Sequence, residues 1–324
     1  ETTKASSFAK LNVMGEDKDE FIVALCTIHG QFWGQGDVNK YMTLSNVAKV
    51  INLAQAIELN GQDYVQKHVG KNPSGEDADA MSLNQDGLPH NPICTAGALV
   101  VTTLLRAEMS AAARFDALVK TWSSLTATRN VDFNNYGYLT ILRDADVHQA
   151  ISWLLQSAGV FPDHVQTADD VQRALEFFLQ TLSVSTTMTD VAVIGATLAN
   201  SGRNPFTGKR VFSPGTVQAV LSQLFSCGVG ASSGDWAYKV GLPSVTCPDG
   251  LILTIIPGLG GVVVFSPRLK NGLSVRGIEF LERLSEARSL HVFDTTKQSS
   301  RKGERTYETE ALMTYAAATG SIDS

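Results

Sequence analysis

The chain has 324 residues, of which 44% are hydrophobic and 18% are charged, and its formal net charge at pH 7 is −6. This composition is typical of a globular protein with a sizeable core, and the length is sufficient for two lobes or one large α/β unit. The negative charge argues against nucleic-acid binding, which needs a concentrated basic surface. No apolar run reaches the roughly 20 residues that would cross a membrane, so a membrane partner is not expected either.

The four cysteines are far apart in the sequence and form no CxxC pair. They are Cys26, Cys94, Cys227 and Cys247. Zinc sites and dense disulfide frameworks need close or regular spacing, so we expect reduced thiols, a cytoplasmic location and no metal. The N-terminal residues ETTKASSF also lack the basic-then-apolar pattern of a secretion signal. No cofactor is predicted, because the GLGG stretch at 258–261 has no following helix and is expected to be a turn.

The first predicted elements are two strands that form a hairpin over residues 21–37. Polar and apolar residues alternate there, and His29-Gly30 supplies the turn. From about residue 44 to 190 the apolar residues recur at i, i+3, i+4 and i+7, which predicts helices. The predicted helical stretches are 96–109, 111–125, 146–159, 169–184, 186–202 and 213–226.

Three more strands and one helix are predicted in the C-terminal third. The strand-like runs are 235–243, 251–258 and 261–267, and the helix covers 274–290. Strands, then helices, then strands again indicate an α/β protein with one antiparallel sheet and an inserted helical lobe. We predict a sheet lobe of residues 1–50 together with 190–295, a helical lobe of residues 51–189 and a C-terminal tail of residues 296–324.

Six ordered blocks of sequence carry a resemblance to a known family. They are HVGKNPSG (68–75), PHNPICTAGALVVT (89–102), ATLANSGRNPFTGKRVFSP (196–214), SCGVG (226–230), VGLP (240–243) and FSPRLKNGLSVRGIEF (265–280). In this order and spacing they resemble the serine-dependent glutaminase family over roughly residues 20–290. The resemblance implies a β-lactamase-like fold, with a five-stranded antiparallel sheet flanked by helices and a separate helical lobe. It also implies a homodimer or a higher homo-oligomer.

The resemblance places the nucleophile segment at residues 36–49, GDVNKYMTLSNVAK. The family pattern there ends in Gln-Ser-x-x-Lys. Alignment without gaps from both flanks puts Ser45 on the glutamine, Asn46 on the nucleophilic serine and Lys49 on the general base. Using Ser45 as the nucleophile would need one extra residue in a helix, which would rotate everything beyond it by about 100°. Because an amide cannot attack a carbonyl as an alkoxide does, the nucleophile is predicted to be missing.

Other positions that the family uses for catalysis and substrate binding are also changed. The second backbone N–H of the oxyanion site falls on Pro248, which has no N–H, and losing one such donor typically slows catalysis about 100- to 1000-fold. Where an acidic side chain would meet the ammonium of glutamine, this chain has Ile141, so a buried ammonium would lack its counter-charge. The remaining substrate positions fall on Ala9, Ser45, Thr95, His148, Phe178 and Gly230. We therefore expect no hydrolysis of glutamine.

Lys49 and His148 are the candidate catalytic residues. A partly buried amine with a lowered pKa and an imidazole could form an acid/base pair near neutral pH. Alternatively, Lys49 could reach the surface or pair with a carboxylate, and His148 could lie on a helix surface. The candidate binding residues are Ser45, Asn46, Thr95, Ile141, Phe178, Gly230 and Pro248.

These changes leave three functional hypotheses. The first is a repurposed enzyme that isomerises or cyclises a neutral, apolar small molecule by proton transfer alone. The second is a non-catalytic homologue that binds a ligand or a partner. The third, an active glutaminase that uses Ser45 and Lys49, requires a different register of the helix. An open apolar pocket with Lys49 and His148 pointing inward would favour the enzyme, whereas a closed cleft would favour the binding protein.

Overall fold

The structure is a computed structural model that describes residues 19–128, 130–294 and Thr314. Ala9 and, apart from Thr314, the predicted tail of residues 296–324 lie outside the described residues. The strands are β1 (Ile22–Thr27), β2 (Phe32–Gln35), β3 (Tyr41–Thr43), β4 (Asp132–Phe133), β5 (Val184–Thr187), β6 (Ser244–Thr246), β7 (Leu251–Ile256), β8 (Gly260–Phe265), β9 (Leu269–Lys270) and β10 (Leu273–Ser274). The helices are α1 (Asn46–Asn60), α2 (Gln62–Val65), α3 (Thr95–Thr103), α4 (Ala111–Leu125), α5 (Asn135–Arg143), α6 (Asp146–Ser157), α7 (Ala168–Leu182), α8 (Met188–Ala199), α9 (Pro214–Cys227), α10 (Ser233–Lys239) and α11 (Val275–Ala287).

The expected five-stranded antiparallel sheet is present, with the strand order β2-β1-β8-β7-β6. β1 and β2 form the predicted hairpin, in whose turn Gly30 adopts the left-handed conformation, with φ 79°. Side chains of β1 alternate between two cores, since Ile22 and Ala24 join one and Val23 and Leu25 join the other. A sheet buried on both faces therefore produces nearly continuous apolar runs in the sequence.

Helices cover both faces of this sheet. α8 packs along β8, β1 and β7, and glycine permits the close approach. A Cβ atom on Gly195 would lie 2.8 Å from the Cα atom of Gly261, and one on Gly261 would lie 2.5 Å from the Cα atom of Gly195. On the opposite face, α10 and α11 contribute Trp236, Phe280 and Leu284 to the second core. The predicted α/β architecture, with one antiparallel sheet flanked by helices, is confirmed.

The predicted strand at 235–243 is wrong, because α10 occupies most of it and β6 begins only at Ser244. Trp236 and Val240 are four residues apart and both are buried in the second core, as expected for one face of a helix. Tyr238, which alternation would also bury, is 86% exposed. The alternation of apolar residues in this short run was therefore misleading.

Two helix ends also differ from their predictions. The helix expected over 96–109 ends at Thr103, and Arg106 beyond it has a left-handed backbone with φ 47°. The helix expected over 169–184 ends at Leu182, and Val184 already belongs to β5. The GLGG stretch forms the predicted turn only in part, since Gly258 and Leu259 lie between β7 and β8 whereas Gly260 and Gly261 already begin β8.

A small sheet in the order β3-β5-β4 lies where the chain passes between the helices and the central sheet. β3 leads into α1 and β5 leads directly into α8, so this sheet positions the start of α1. One continuous core contains both Ile22 in β1 and Phe178 in α7, so residues of the two predicted lobes pack together. The lobe boundaries at residues 50 and 190 stay predictions. Among the described helices, none has both the length and the apolar character of a membrane span.

Candidate functional site

The predicted nucleophile segment forms the turn into α1, whose first residue is Asn46. Ser45 precedes the helix with φ 44° and ψ −117°, which residues other than glycine rarely adopt. The backbone is held in this turn because the N–H of Leu44 donates to Val184 O at 2.8 Å and the N–H of Ser45 donates to Leu182 O at 3.1 Å. The strained turn thus puts the side chain of Asn46, and not that of Ser45, at the first position of the helix.

The side chain of Asn46 bonds to the edge of the central sheet. Its Nδ2 atom donates a hydrogen bond of 2.8 Å to the carbonyl oxygen of Thr246, the last residue of edge strand β6. An amide has no proton that a neighbouring base can remove to create a nucleophile. At this position Asn46 therefore connects the helix to the sheet and has no group capable of attack.

The thiol of Cys247 lies beside the start of α1. The backbone N–H groups of Asn46 and Val47 favour its thiolate, but burial is the larger effect and raises the pKa of this thiol above its usual range. The Sγ atom also donates to the carbonyl oxygen of Leu44 at 3.6 Å. In an oxyanion site such N–H groups would face the oxygen of a substrate carbonyl. Here the N–H of Val47 donates instead to the carbonyl oxygen of Leu44 at 2.8 Å.

Pro248 lies in the turn between β6 and β7. The turn is closed by hydrogen bonds from the N–H of Gly250 to Cys247 O at 3.1 Å and from the N–H of Cys247 to Leu251 O at 2.8 Å. The carboxylate of Asp249 accepts a hydrogen bond of 3.1 Å from the N–H of Leu251. Because proline has no N–H, this position offers no second backbone donor to an oxyanion.

Lys49 lies three residues after Asn46 on α1 and is buried. Its Nζ atom donates to Ile93 O at 3.2 Å and to the hydroxyl of Thr95 at 3.3 Å. Burial lowers the pKa of the amine, and the negative charge of Asp79 opposes this effect. The bonds of the Lys49 amine to protein atoms thus go to Ile93 and Thr95, without Ser45.

Asp79 is the functional candidate that the sequence analysis missed. Its Oδ1 atom accepts a hydrogen bond of 2.5 Å from the hydroxyl of Thr95, and the backbone N–H of Thr95 donates to Ala78 O at 2.8 Å. Asp79 is exposed, so a continuous chain of polar groups leads from Lys49 through Thr95 to the surface. In the sequence Asp79 belongs to an acidic loop, GEDADA, and nothing there indicates that this loop lies against Thr95.

His148 is brought close to the same groups. Burial lowers its pKa most, the carboxylate of Asp79 opposes that effect, and the charge of Lys49 lowers the pKa further. The imidazole packs against the ring of Phe178, with 6.2 Å between the ring centroids. Lys49, Thr95, Asp79, His148 and Phe178 thus form one group of neighbouring side chains.

Gly230 does not belong to this buried group. It is exposed, it begins a 3-10 turn (Gly230–Ser232), and its φ of 58° lies in the left-handed region. No heavy atom lies within 4 Å of the place where a Cβ atom would stand. A larger side chain would have space here, but the left-handed backbone disfavours one.

Several predicted site residues are closed to solvent, whereas Asn46 and Pro248 are partly exposed and Gly230 is exposed. The exposed fraction is 0% for Ile141 and Phe178, 1% for Thr95, 3% for Ser45 and 4% for Lys49. A cleft ready to receive a substrate would leave such side chains accessible, since ligand sites are usually preformed concavities. Within the described ranges, no three His, Cys, Asp or Glu side chains are grouped in a way that could hold a metal ion.

Comparison with known proteins identifies similar sequences along most of the chain. The Glutaminase family model matches residues 5–293. The mitochondrial liver isoform of glutaminase from Mus musculus is 34% identical over 308 residues, which cover 93% of this chain and 50% of that protein. The glutaminase of Nostoc sp. is 32% identical over 281 residues, which cover 86% of this chain and 82% of that protein. The chain spans about half the length of several curated relatives that it matches.

Solved structures show the same similarity. The crystal structure of Mglu in its native form has a TM-score of 0.79 at 31% identity, and the match covers 91% of this chain and 69% of that chain. The structure of Mglu in its tris and glutamate form has a TM-score of 0.77 at 32% identity, covering 86% of this chain and 61% of that chain.

Proposed function

This chain belongs to the glutaminase family, and we propose that it is a member that does not hydrolyse glutamine and that acts by binding and not by catalysis. The observation that carries the proposal is the 2.8 Å hydrogen bond from the Asn46 side chain to Thr246 O. The position that the family resemblance assigns to the nucleophile thus has an amide side chain with a structural partner, which supports the proposal. The bond would have to break before any substrate could approach β6 at this point.

The groups that would stabilise a tetrahedral intermediate support the same proposal. One donor position is Pro248, which has no N–H, and the N–H of Val47 at the start of α1 donates to Leu44 O at 2.8 Å. Oxyanion donors act only when they are aimed at the developing negative charge. Restoring a hydroxyl nucleophile alone would therefore leave the intermediate without its usual hydrogen bonds.

Recognition of a free amino acid is also poorly supported by the residues present. Glutamine carries an ammonium and a carboxylate, and Ile141 is fully buried where the family resemblance places the acidic partner of the ammonium. Burying an unpaired charge costs several kcal/mol at least. A zwitterion is therefore excluded from this place by charge as well as by space.

A coupled assay for ammonia release with millimolar glutamine tests the proposal. We expect no release above a protein-free blank, with the Nostoc glutaminase as the positive control. Turnover in the ordinary range of enzymes, about 1 to 1000 per second, would refute the proposal. A thermal-shift titration with glutamate provides a second measurement, in which we expect no change of the melting temperature.

A second candidate function is acid/base catalysis on a neutral, apolar small molecule, as in an isomerase or a cyclase. The observation that favours it is the chain of polar groups from Lys49 through Thr95 to Asp79, with His148 beside it. Burial lowers the pKa values of Lys49 and His148, which favours the neutral forms that accept a proton. This candidate ranks second because Lys49, Thr95 and His148 are closed to solvent, and only Asp79 of the four residues is exposed.

Mass spectrometry of small molecules that copurify with the protein separates the two candidates. An apolar molecule retained by the wild type and absent from a Lys49→Met variant would favour the catalyst. If the molecule is instead lost when a residue outside this buried group is substituted, the result would favour binding at another place on the protein. Self-association, which the family resemblance implies, is measured separately by light scattering, and a monomer at all protein concentrations would contradict it.

A further inference from the structure

A cavity of about 340 Å³ lies between the C-terminal half of α4 and the loop of residues 204–209. Its walls are formed by Val119, Lys120, Ser123, Ser124, Thr207 and Lys209. None of these residues belongs to the predicted catalytic or binding positions. The volume falls at the lower end of the roughly 300–1,000 Å³ in which small molecules bind.

Two exposed lysines, Lys120 and Lys209, are the charged residues among those that line this cavity, in a protein of net charge −6. Neither Lys120 nor Lys209 forms an ion pair with any residue in the part of the chain that the structure describes. Asp116, one turn before Lys120 on α4, is also outside ion-pair distance of it. The hydroxyls of Ser123 and Thr207 add neutral donors to the two ammonium groups, a combination suited to anionic oxygens.

The buried side chain of Asn204 fixes the two walls of the cavity relative to each other. Its Nδ2 atom donates to Ser124 O and Thr126 O, both at 3.1 Å. Its Oδ1 atom accepts from the N–H of Phe206 at 2.9 Å and from that of Thr207 at 3.1 Å. The free carbonyl groups at a helix C-terminus disfavour an anion, and Asn204 engages two of them at the end of α4. It thereby holds the loop in place and reduces this repulsion.

We propose that this cavity binds a small organic anion, a molecule with a phosphate or carboxylate group, through the ammonium groups of Lys120 and Lys209. The hydroxyls of Ser123 and Thr207 bind the same oxygens, and the aliphatic stems of the lysines with Val119 cover the uncharged part of the ligand. The site shares no residue with the positions that the family resemblance indicates, so it does not depend on whether glutamine is hydrolysed.

Titration calorimetry and NMR at low ionic strength test the proposal with four probes: inorganic phosphate, glycerol 3-phosphate, succinate and uncharged glycerol. We expect at least one of the three anions to bind with a dissociation constant below about 10 mM, and we expect glycerol not to bind. The comparison of glycerol 3-phosphate with succinate shows whether a phosphate or a carboxylate is preferred. Added salt should weaken the binding, because exposed charges are screened.

Variants of the two lysines locate the binding. We expect Lys120→Gln and Lys209→Gln each to weaken binding about 5- to 10-fold and the double variant to abolish it. Lys67→Gln is the matched control, since Lys67 is an exposed lysine outside the cavity, and it should leave binding unchanged. A crystal of the wild type soaked with the bound anion gives a second measurement that does not depend on how the variants fold.

Three results would overturn the proposal. They are the absence of binding by all three anions, an equal loss of binding in the Lys67→Gln control, and an anion that occupies another place in the crystal. Circular dichroism confirms that each variant is folded, which we expect because Lys120 and Lys209 are exposed.

Discussion

The Nδ2 atom of Asn46 lies 2.8 Å from the carbonyl oxygen of Thr246, so the first residue of α1 is bonded to the last residue of edge strand β6. The family resemblance would place a substrate carbonyl between this helix and this strand. Three residues further along the helix, the amine of Lys49 is held by Ile93 O and by the hydroxyl of Thr95. Both polar groups at the start of α1 thus have partners within the protein.

Asn46→Ser is expected to produce no hydrolysis of glutamine, because Pro248 and Ile141 remain. The hydrogen bond to Thr246 O is lost, so the free energy of unfolding should fall by about 0.5–1.5 kcal/mol. Asn46→Asp is the matched control, and it should destabilise more because a carboxylate would face the carbonyl oxygen. Ammonia release and urea denaturation are the measurements. Glutamine turnover by the serine variant would mean that the nucleophile was the only missing part.

Ser45→Gly should stabilise the protein by about 1 kcal/mol. With φ at 44° and ψ at −117°, Ser45 carries backbone strain that glycine relieves. Ser45→Ala keeps the Cβ atom and is expected to give no such gain. Urea unfolding of the three proteins measures the difference. Equal stability of the glycine and alanine variants would argue against strain at this turn.

The stability of the wild type relative to Lys49→Met should rise with pH. Because burial lowers the folded-state pKa of Lys49 below 10.5, the unfolded state holds this proton at pH values where the folded state has released it. The cost of burying the charge is therefore fully present below the folded-state pKa and disappears as pH approaches 10.5. Urea unfolding between about pH 7 and 10 measures this change. Exposed Lys67→Met is the control, and a Lys49→Met difference that does not change with pH would contradict the prediction.

NMR titration of the His148 ring should give a pKa below 6.5, because burial disfavours the charged imidazole. Lys49→Met should raise this pKa by removing a nearby positive charge, and Asp79→Asn should lower it. The unfolded state takes up the proton first as pH falls through 6.5, so His148 reduces stability in acid. Shifts of the same sign in both variants would show that the two charges do not act on His148 in this way.

Thiol-specific alkylation of the native protein should modify Cys94 before the three buried cysteines, Cys26, Cys227 and Cys247. Burial raises the pKa of Cys26 to about 12 and also raises that of Cys247, whereas Cys94 is partly exposed. The thiolate is the reactive form, so buried and protonated thiols react slowly. Mass spectrometry identifies the modified residue, and all four cysteines should react alike in denaturant. Early modification of Cys247 would indicate that the start of α1 opens readily.

Much of the fold could be predicted from the sequence, because long periodic segments determine their own structure. The hairpin of β1 and β2, the paired strands β7 and β8, and the helices α4 and α6 follow the predicted ranges closely. The failure at 235–243 occurred where seven helical residues contained an alternating apolar pattern, so that periodicity indicated the wrong element. The end of α3 was missed because no local motif marks it, although Arg106, three residues beyond Thr103, has a left-handed backbone.

The candidate site was less predictable, because burial and neighbours depend on tertiary contacts. The alignment indicated Asn46 at the start of the helix, but the bond to Thr246 joins residues 200 positions apart in the chain. Asp79 belongs to a loop whose composition is that of an ordinary exposed acidic segment, and its contact with Thr95 depends on where the loop lies. The roles of Lys49 and His148 stay predictions, although both are now placed beside Asp79.

The order of the strands has a consequence for how the protein folds during synthesis. β1 pairs with β8, so Ile22 lies opposite Phe265, and the central sheet cannot close until the C-terminal third of the chain has left the ribosome. Such distant pairing predicts slow folding, with the first hairpin waiting as an exposed edge that a chaperone could protect. A ribosome stalled before residue 260 should therefore carry a nascent chain that proteases cut readily within β1.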